Sequence, residues 1–146
     1  MASGEPSAAY AGDLSPHEAW DLLCREPEAQ LVDVRTAAEW NFVGTPDISS
    51  IGRKLHCLEW QSFPDMSKNP QFAAEAREAL GGRKDVPVLF LCRSGGRSLA
   101  AAMAMTAAGY TRSYNIAGGF EGDLDLERHR GKQSGWKAAG LPWKQT

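Results

Sequence analysis

Short apolar runs alternate along this chain with amphipathic stretches that have helical spacing. Residues 88–91 form a continuous apolar run, typical of a strand buried on both faces, and residues 31–34 have the same character around one aspartate. Weaker strand patterns occupy residues 10–14, 54–60 and 110–116. Because helical stretches separate the strands, the pattern predicts an α/β fold with a mainly parallel sheet and helices on both faces.

Helix starts are marked by their capping residues. A Ser or Thr followed three positions later by Glu makes a capping box at residues 15–18 and again at residues 36–39. A third helix is expected from residue 70 to the glycine pair at residues 81–82. A fourth is expected over residues 98–108, which are rich in alanine and are followed by a glycine.

The chain has three cysteines, at positions 24, 57 and 92. This number is small and odd, so it does not fit a disulfide framework. A reducing compartment is therefore expected. Cys24 lies four positions after Trp20 on the first helix, so it is predicted to belong to the core. His56 directly precedes Cys57, and adjacent side chains of a strand point to opposite faces, so these two cannot form a local dyad.

Cys92 stands where a strand, a glycine-bearing loop and a helix follow one another. The strand ends at Leu91, the loop reads Cys-Arg-Ser-Gly-Gly-Arg over residues 92–97, and the helix follows. This order places Cys92 at the carboxyl end of a strand, where open α/β sheets bind their ligands.

The surroundings of Cys92 favour a reactive thiolate over a thiol. Successive N–H groups of a tight loop can converge on an anion, and a helix N-terminus adds partial positive charge. Arg93 and Arg97 add two full charges, while Gly95 and Gly96 allow the positive φ that such a loop requires. An inert buried cysteine is the alternative, but two flanking arginines are unusual for one.

Asp33 is an acid within a predicted central strand, and burying it requires a partner. That partner is expected at the carboxyl edge of the sheet, where Cys92 also lies. Arg35 and Glu39 follow closely and are expected to pair with each other. For these two the interpretation is that they lock the sheet edge, whereas for Asp33 a structural and a functional role are both open.

Length and charge narrow the classes of protein to consider. The 146 residues predict one domain, residues 10–146, preceded by a frayed tail at residues 1–9. A net charge of −2 argues against a nucleic-acid partner. The first residues have no basic or apolar region of a secretory signal, and no run is long enough to cross a membrane, so a cytoplasmic protein without a membrane partner is expected.

Acidic residues alternate at Asp123, Asp125 and Glu127, as they do in a calcium loop. The glycine and the terminal bidentate acid that such a loop needs are missing at the required spacing. No metal is therefore expected.

Four blocks of the chain, residues 31–40, 91–98, 114–120 and 135–142, resemble a single-domain rhodanese. They occur in the order of that family and span nearly the whole chain. The resemblance implies a five-stranded α/β fold and a thiosulfate sulfurtransferase-like enzyme without a cofactor. In such enzymes the loop cysteine accepts a sulfane sulfur from a small anionic donor, becomes a persulfide, and passes the sulfur to cyanide or a thiol, including a protein thiol.

Carried onto this sequence, the resemblance makes Cys92 the catalytic nucleophile and gives Asp33 and Arg35 a supporting role. The expected substrate-binding residues are the rest of the loop, Arg93, Ser94, Gly95, Gly96, Arg97 and Ser98.

Two segments depart from the family pattern. Residues 42–50 lack the histidine found there in rhodaneses, which predicts a different pocket rim. Residues 121–134 form an apparent insertion, expected to cover the site or to bind a partner.

Two other functions compete with sulfur transfer. A cysteine phosphatase or arsenate reductase places an arginine six positions after its cysteine, but that position is Ser98, and Arg97 comes one residue too early. A smaller loop suits a single sulfur atom better than a tetrahedral oxyanion. The other alternative is a catalytically weak rhodanese-like module that binds a partner.

Overall fold

The computed structural model describes residues 9–62 and 65–145. Its strands, in chain order, are β1 (Gly12–Leu14), β2 (Gln30–Asp33), β3 (Thr45–Pro46), β4 (Leu55–Cys57), β5 (Gln61–Ser62), β6 (Ser67–Lys68), β7 (Val88–Leu91), β8 (Ser113–Ile116) and β9 (Trp143–Lys144). Its helices are α1 (Pro16–Arg25), α2 (Ala37–Phe42), α3 (Phe72–Ala79), α4 (Gly96–Ala107) and α5 (Gly135–Ala138). The frayed tail expected at residues 1–9 falls, apart from residue 9, outside the described residues and stays a prediction.

Five strands form one sheet in the order β1-β8-β7-β2-β4, and every neighbouring pair is parallel. The predicted α/β class is therefore confirmed. Outside this sheet, β9 pairs antiparallel with β3, and β5 and β6 form a small antiparallel hairpin. The central strand β7 is buried along its whole length, as its continuous apolar run predicted.

The two faces of the sheet carry separate cores. One core, beneath α3 and α4, includes Phe72, Phe90 and Met105. The other, beneath α1 and α5, includes Leu91 and Trp136. Because side chains alternate along a strand, the residue after Leu91 points back to the α3–α4 side, and Cys92 belongs to that core.

Both capping boxes form as predicted. The Ser15 hydroxyl accepts the N–H of Glu18, and the Glu18 carboxylate accepts the N–H of Ser15. Thr36 and Glu39 cap α2 in the same reciprocal way. Within the described residues, no helix is long and apolar enough to cross a bilayer.

The core position predicted for Cys24 is wrong. The buried residues of α1 are Ala19, Leu22 and Leu23, and Cys24 is exposed. A helix turns by about 100° per residue, so the residue after Leu23 leaves the buried arc. Trp20 still packs, with its ring edge against Trp136 at a centroid distance of 6.0 Å.

Candidate active site

Cys92 follows β7 directly and is separated from α4 by residues 93–95. Helix α4 begins at Gly96, two residues before the predicted start, because Gly95 takes the cap position. The Gly95 N–H donates to Cys92 Sγ at 3.1 Å, and Ser98 Oγ lies 3.2 Å from the same sulfur. The side chain of Cys92 is 1% exposed, so the sulfur is held in a small polar pocket within the α3–α4 core.

The loop rests on the segment that follows β8. The N–H of Phe120 donates to the Cys92 carbonyl at 2.7 Å, and the N–H of Glu121 donates to the Arg93 carbonyl at 2.9 Å. Gly119 has φ +60°, and a Cβ there would overlap the carbonyl of Cys92. The glycine pair of residues 118–119 therefore lets this backbone approach and fix the cysteine loop.

Gly95 and Gly96 provide a matched test of that loop. Gly95 has φ +119°, whereas Gly96 has no positive φ and faces open space. We expect Gly95→Ala to lower the free energy of unfolding by about 1–3 kcal/mol, since alanine is strained in this backbone region. Gly96→Ala should stay within about 0.5 kcal/mol of the parent in urea unfolding. Equal losses for the two variants would contradict the left-handed conformation at Gly95.

Arg97, expected to face the substrate, instead pairs with Glu39. The guanidinium donates to the two carboxylate oxygens at 2.8 and 2.9 Å, and both side chains are largely buried. The predicted pairing of Glu39 with Arg35 is wrong, because the cap of α2 aims Glu39 toward the start of α4. The hydrogen bonds to Glu39 raise the pKa of Arg97.

Glu39 gives the fold a pH dependence. Burial alone would raise its pKa, but the hydrogen bonds from Arg97 and Thr36 outweigh burial and lower it to about 2. A carboxyl whose pKa is lower in the folded state stabilises the fold above its unfolded value, and this is lost as pH falls from about 5 toward 2. We expect the parent to lose up to about 3 kcal/mol through this pair, on the scale of 1.36 kcal/mol per pH unit.

Urea unfolding at about pH 6 and about pH 3 checks this expectation. Glu39→Gln should be less stable than the parent at the higher pH and should lose less stability on acidification. If both proteins lost equal stability, the Arg97–Glu39 pair would not be the source of the pH dependence.

Asp33 was expected to need a partner, and the structure shows that this partner is Arg35. Arg35 Nη2 donates to Asp33 Oδ2 at 2.7 Å, Nε donates to Oδ1 at 3.0 Å, and both side chains are fully buried. Arg35 also donates to the Gly44 carbonyl at 2.7 Å and lies over the Phe120 ring, 4.3 Å from its centroid. The contact with Phe120 places the pair on the α1–α5 face, so it lies at the same sheet edge as Cys92 but on the opposite side.

A cavity of about 630 Å³ opens beside the loop. It is lined by Thr36, Ala38, Glu39, Phe42, Val43, Gln61, Met66, Arg93, Arg97, Glu121 and Arg130. The two arginines that flank Cys92 belong to this wall. Part of the lining is apolar and includes Phe42, which is 81% exposed. Residues 121–134 contribute Glu121 and Arg130 to the rim.

The other cysteine near this edge has different chemistry. Cys57 pairs in register with Asp33, and partial burial of its thiol, followed by the charge of that carboxylate, raises its pKa to about 11. His56 Nε2 lies 2.9 Å from Gln30 Oε1, and burial and then Lys54 lower the pKa of the imidazole. Neither residue is placed to assist Cys92.

Of the three alternating acids at residues 123–127, two lie close together in the structure. Ligand atoms of Asp125, Glu127 and His129 lie within 4.8 Å of one another. Asp125 Oδ1 already accepts the N–H groups of the other two residues, each at 2.9 Å. The carboxylate thus caps its own loop.

Two residues near Cys92 were missed from the sequence. Asn115 Oδ1 lies 2.6 Å from Ser98 Oγ, and Asn115 Nδ2 donates to Asp13 Oδ1 at 3.1 Å. A polar side chain in the buried strand β8 was the available signal, by the same logic that singled out Asp33.

Known proteins resemble this chain along most of its length. The family model described as the STR4 middle domain matches residues 11–146. The crystal structure of Rv0390 from M. tuberculosis is 52% identical, with a TM-score of 0.86 over 94% of this chain and 99% of that one. An uncharacterized protein of Rickettsia rickettsii, an RP600 homolog, is 37% identical over 87% of this chain and 92% of its own length.

More distant relatives carry names that refer to sulfur chemistry or fold. Thiosulfate sulfurtransferase GlpE of Actinobacillus succinogenes is 28% identical, covering 89% of this chain and 87% of its own. A rhodanese-like domain protein from Staphylococcus aureus shares the fold with a TM-score of 0.53 and 17% identity, over 92% of this chain and 98% of that one.

Proposed function

The chain belongs to the rhodanese-like family, as a single domain that matches the STR4 middle domain over residues 11–146, and on that premise we propose that it is a thiosulfate sulfurtransferase. The observation that carries the proposal is the position of Cys92 Sγ. It lies at the carboxyl end of β7, accepts the Gly95 N–H at 3.1 Å, and is flanked by Arg93 and Arg97.

In the first half-reaction the Cys92 thiolate attacks the outer sulfur of thiosulfate. The S–S bond of thiosulfate breaks, sulfite leaves with the electron pair, and a new S–S bond makes Cys92 a persulfide. Arg93 is exposed on the cavity wall and is the side chain best placed to hold the sulfonate end. Arg97 already holds Glu39, so it contributes charge more than a direct contact.

In the second half-reaction an acceptor thiolate or cyanide attacks the terminal sulfur of the persulfide. The bond between the two sulfurs breaks, and Cys92 leaves as a thiolate ready for another cycle. The transfer itself requires no general base or cofactor, because it proceeds from the thiolate form of Cys92. The Gly95 N–H, oriented by the positive φ of its residue, is positioned to stabilise the anionic sulfur at the start and end of each cycle.

The size of the loop favours a sulfur atom over a phosphate group. Helix α4 begins at Gly96, so residues 93–95 span the gap after Cys92. The sixth position after Cys92 is Ser98, which is fully buried and turned toward the sulfur and Asn115. A phosphatase would need an arginine there to wrap a tetrahedral oxyanion.

The cavity bears on the choice of acceptor. Its apolar side, with the exposed Phe42, suits a carrier larger than cyanide, so a thiol on a small molecule or a protein is the acceptor that we favour. Residues 121–134 form part of the rim through Glu121 and Arg130, which supports a role for this insertion in meeting that acceptor. All three cysteines are free, which supports a reducing, cytoplasmic location.

Mass spectrometry of the full chain tests the proposal. After incubation with thiosulfate and removal of excess donor, the peptide that contains Cys92 should gain the mass of one sulfur atom. Cyanide should remove that mass and release thiocyanate, while the peptides of Cys24 and Cys57 stay unchanged. A Cys92 peptide that never gains sulfur would overturn the proposal and would favour a partner-binding module.

A further inference from the structure

A chain of hydrogen bonds connects the buried sulfur to the edge of the sheet. From Cys92 Sγ it runs 3.2 Å to Ser98 Oγ, then 2.6 Å to Asn115 Oδ1, and Asn115 Nδ2 donates to Asp13 Oδ1 at 3.1 Å. The Tyr10 hydroxyl donates to the same carboxylate oxygen at 3.0 Å. Asn115 and Asp13 are register partners on β8 and β1, so strand pairing itself brings them together.

The number of protons available fixes the direction of each bond. The Asp13 carboxylate can only accept, so the NH₂ group of Asn115 must face it and the amide oxygen must face Ser98. A hydroxyl carries one proton, and the short distance of 2.6 Å shows that Ser98 donates it to Asn115. Toward the sulfur, Ser98 can therefore only accept, and the donor must be the thiol S–H of Cys92.

From this geometry we infer that Asp13, acting through Asn115 and Ser98, is a positioning residue that holds resting Cys92 as a thiol. The inference rests on the proposed function only in taking Cys92 as the nucleophile. It means that an exposed acid on the edge strand acts on a buried sulfur that lies just beyond the central strand.

Ionisation then requires a specific rearrangement. The S–H bond breaks, the proton leaves to solvent, and the Ser98 hydroxyl turns from Asn115 Oδ1 to donate to the sulfur anion. Asn115 Oδ1 loses its donor in this step. The Gly95 N–H keeps its bond to the sulfur in both states.

Other charged groups also surround the sulfur. On its own side lie Arg93 and the Arg97–Glu39 pair. Beneath the sheet lies the Asp33–Arg35 pair, with the Cys57 thiol beside Asp33 on β4. At the outer end of this series of hydrogen bonds, burial and the bond to Asp13 raise the pKa of Tyr10, which keeps its hydroxyl a donor. The variants below leave all the charges on the sulfur side in place.

The test is the pH profile of Cys92 alkylation by iodoacetamide, read by mass spectrometry of the Cys92 peptide. Asp13→Asn allows the Asn115 amide to reverse, so that Ser98 can donate to the sulfur. We expect the midpoint of the profile to fall by about one pH unit, the effect of gaining one hydrogen bond to an anion. Asn115→Ala should shift it in the same direction, because Ser98 loses its competing acceptor while the Asp13 charge remains.

Ser98→Ala is the control, because it removes the hydroxyl through which Asp13 acts. In that background, Asp13→Asn should leave the midpoint nearly unchanged. A shift that persists without Ser98 would mean that the Asp13 charge acts through space, and no shift with Asp13→Asn alone would equally overturn the inference. Asp13 is exposed, so its variant is expected to fold, and a thermal melt checks this for Asn115→Ala.

Alkylation needs no sulfur donor, so this test is separate from the proposed activity. A shifted midpoint in a protein that forms no persulfide would uphold the inference and reject the sulfurtransferase. Persulfide formation together with an unshifted midpoint would support the sulfurtransferase and reject the inference.

Discussion

Replacing Cys92 with serine is expected to abolish sulfur transfer. The serine hydroxyl fits the same space but is not ionised at neutral pH, and it cannot hold a sulfane sulfur. The rate of thiocyanate formation from thiosulfate and cyanide should fall by at least about a thousandfold, as it does when covalent enzymes lose their nucleophile. The Cys92→Ser chain should also gain no sulfur by mass spectrometry.

Cys24→Ser and Cys57→Ser are the matched controls, since both replace a more exposed thiol by the same hydroxyl. Cys57 is the more demanding control, because it lies beside Asp33 at the same sheet edge. Its pKa of about 11 leaves it a thiol at neutral pH, so its loss should not slow the reaction. A Cys57→Ser protein as inactive as Cys92→Ser would show that sulfur passes through both residues.

Local sequence rules identified the framework of the site well. The continuous apolar run of β7 and the two capping boxes are short-range patterns, and each formed as predicted. The need of Asp33 for a partner also follows from one residue and its strand, because a buried carboxylate must be compensated. Such inferences succeed because everything that decides them lies within a few residues.

The errors at the site concern contacts between distant segments, whereas Cys24 was misplaced within its own helix. Arg35 and Glu39 are close in sequence, but the end of β2 turns Arg35 back onto Asp33, and the capping box turns Glu39 toward α4. Arg97, 58 residues further along the chain, could be identified as the partner of Glu39 only from the fold. The link from Ser98 through Asn115 to Asp13 depends in the same way on the order of β1, β8 and β7.

The start of α4 shows a second limit of prediction from sequence. Alanine content placed the helix at residue 98, but Gly95 in a left-handed conformation lets it begin at Gly96. Glycines are poor helix formers, so propensity alone sets the start too late. The earlier start brings Arg97 and Ser98 into the first turn of the helix, which aims one at Glu39 and the other at the sulfur.

The two ion pairs near the sheet edge stabilise different parts of the protein. Glu39 and Arg97 join α2 to the first turn of α4 beside the cavity, and they remain partly accessible. Asp33 and Arg35 lie fully buried beneath the same edge, and Arg35 donates to the Gly44 carbonyl of the following loop. Loss of the second pair should therefore affect the whole fold rather than the site alone.

Arg35→Met is expected to destabilise the protein by about 3–5 kcal/mol, because it leaves the Asp33 carboxylate buried without a compensating charge. The variant also loses the bond to the Gly44 carbonyl and the contact with Phe120. Since a domain of this size is stable by only about 5–15 kcal/mol, the change should be visible directly as a lower midpoint in urea unfolding.

Arg112→Met is the matched control, because it removes an arginine that pairs with Glu26 at 3.1 Å on the surface. Exposed pairs contribute about 0–1 kcal/mol, so this variant should unfold close to the parent. Combining Arg35→Met with Asp33→Asn should recover part of the loss, since no charge is then left unpaired. Similar midpoints for Arg35→Met and Arg112→Met would mean that Asp33 is compensated by water rather than by Arg35.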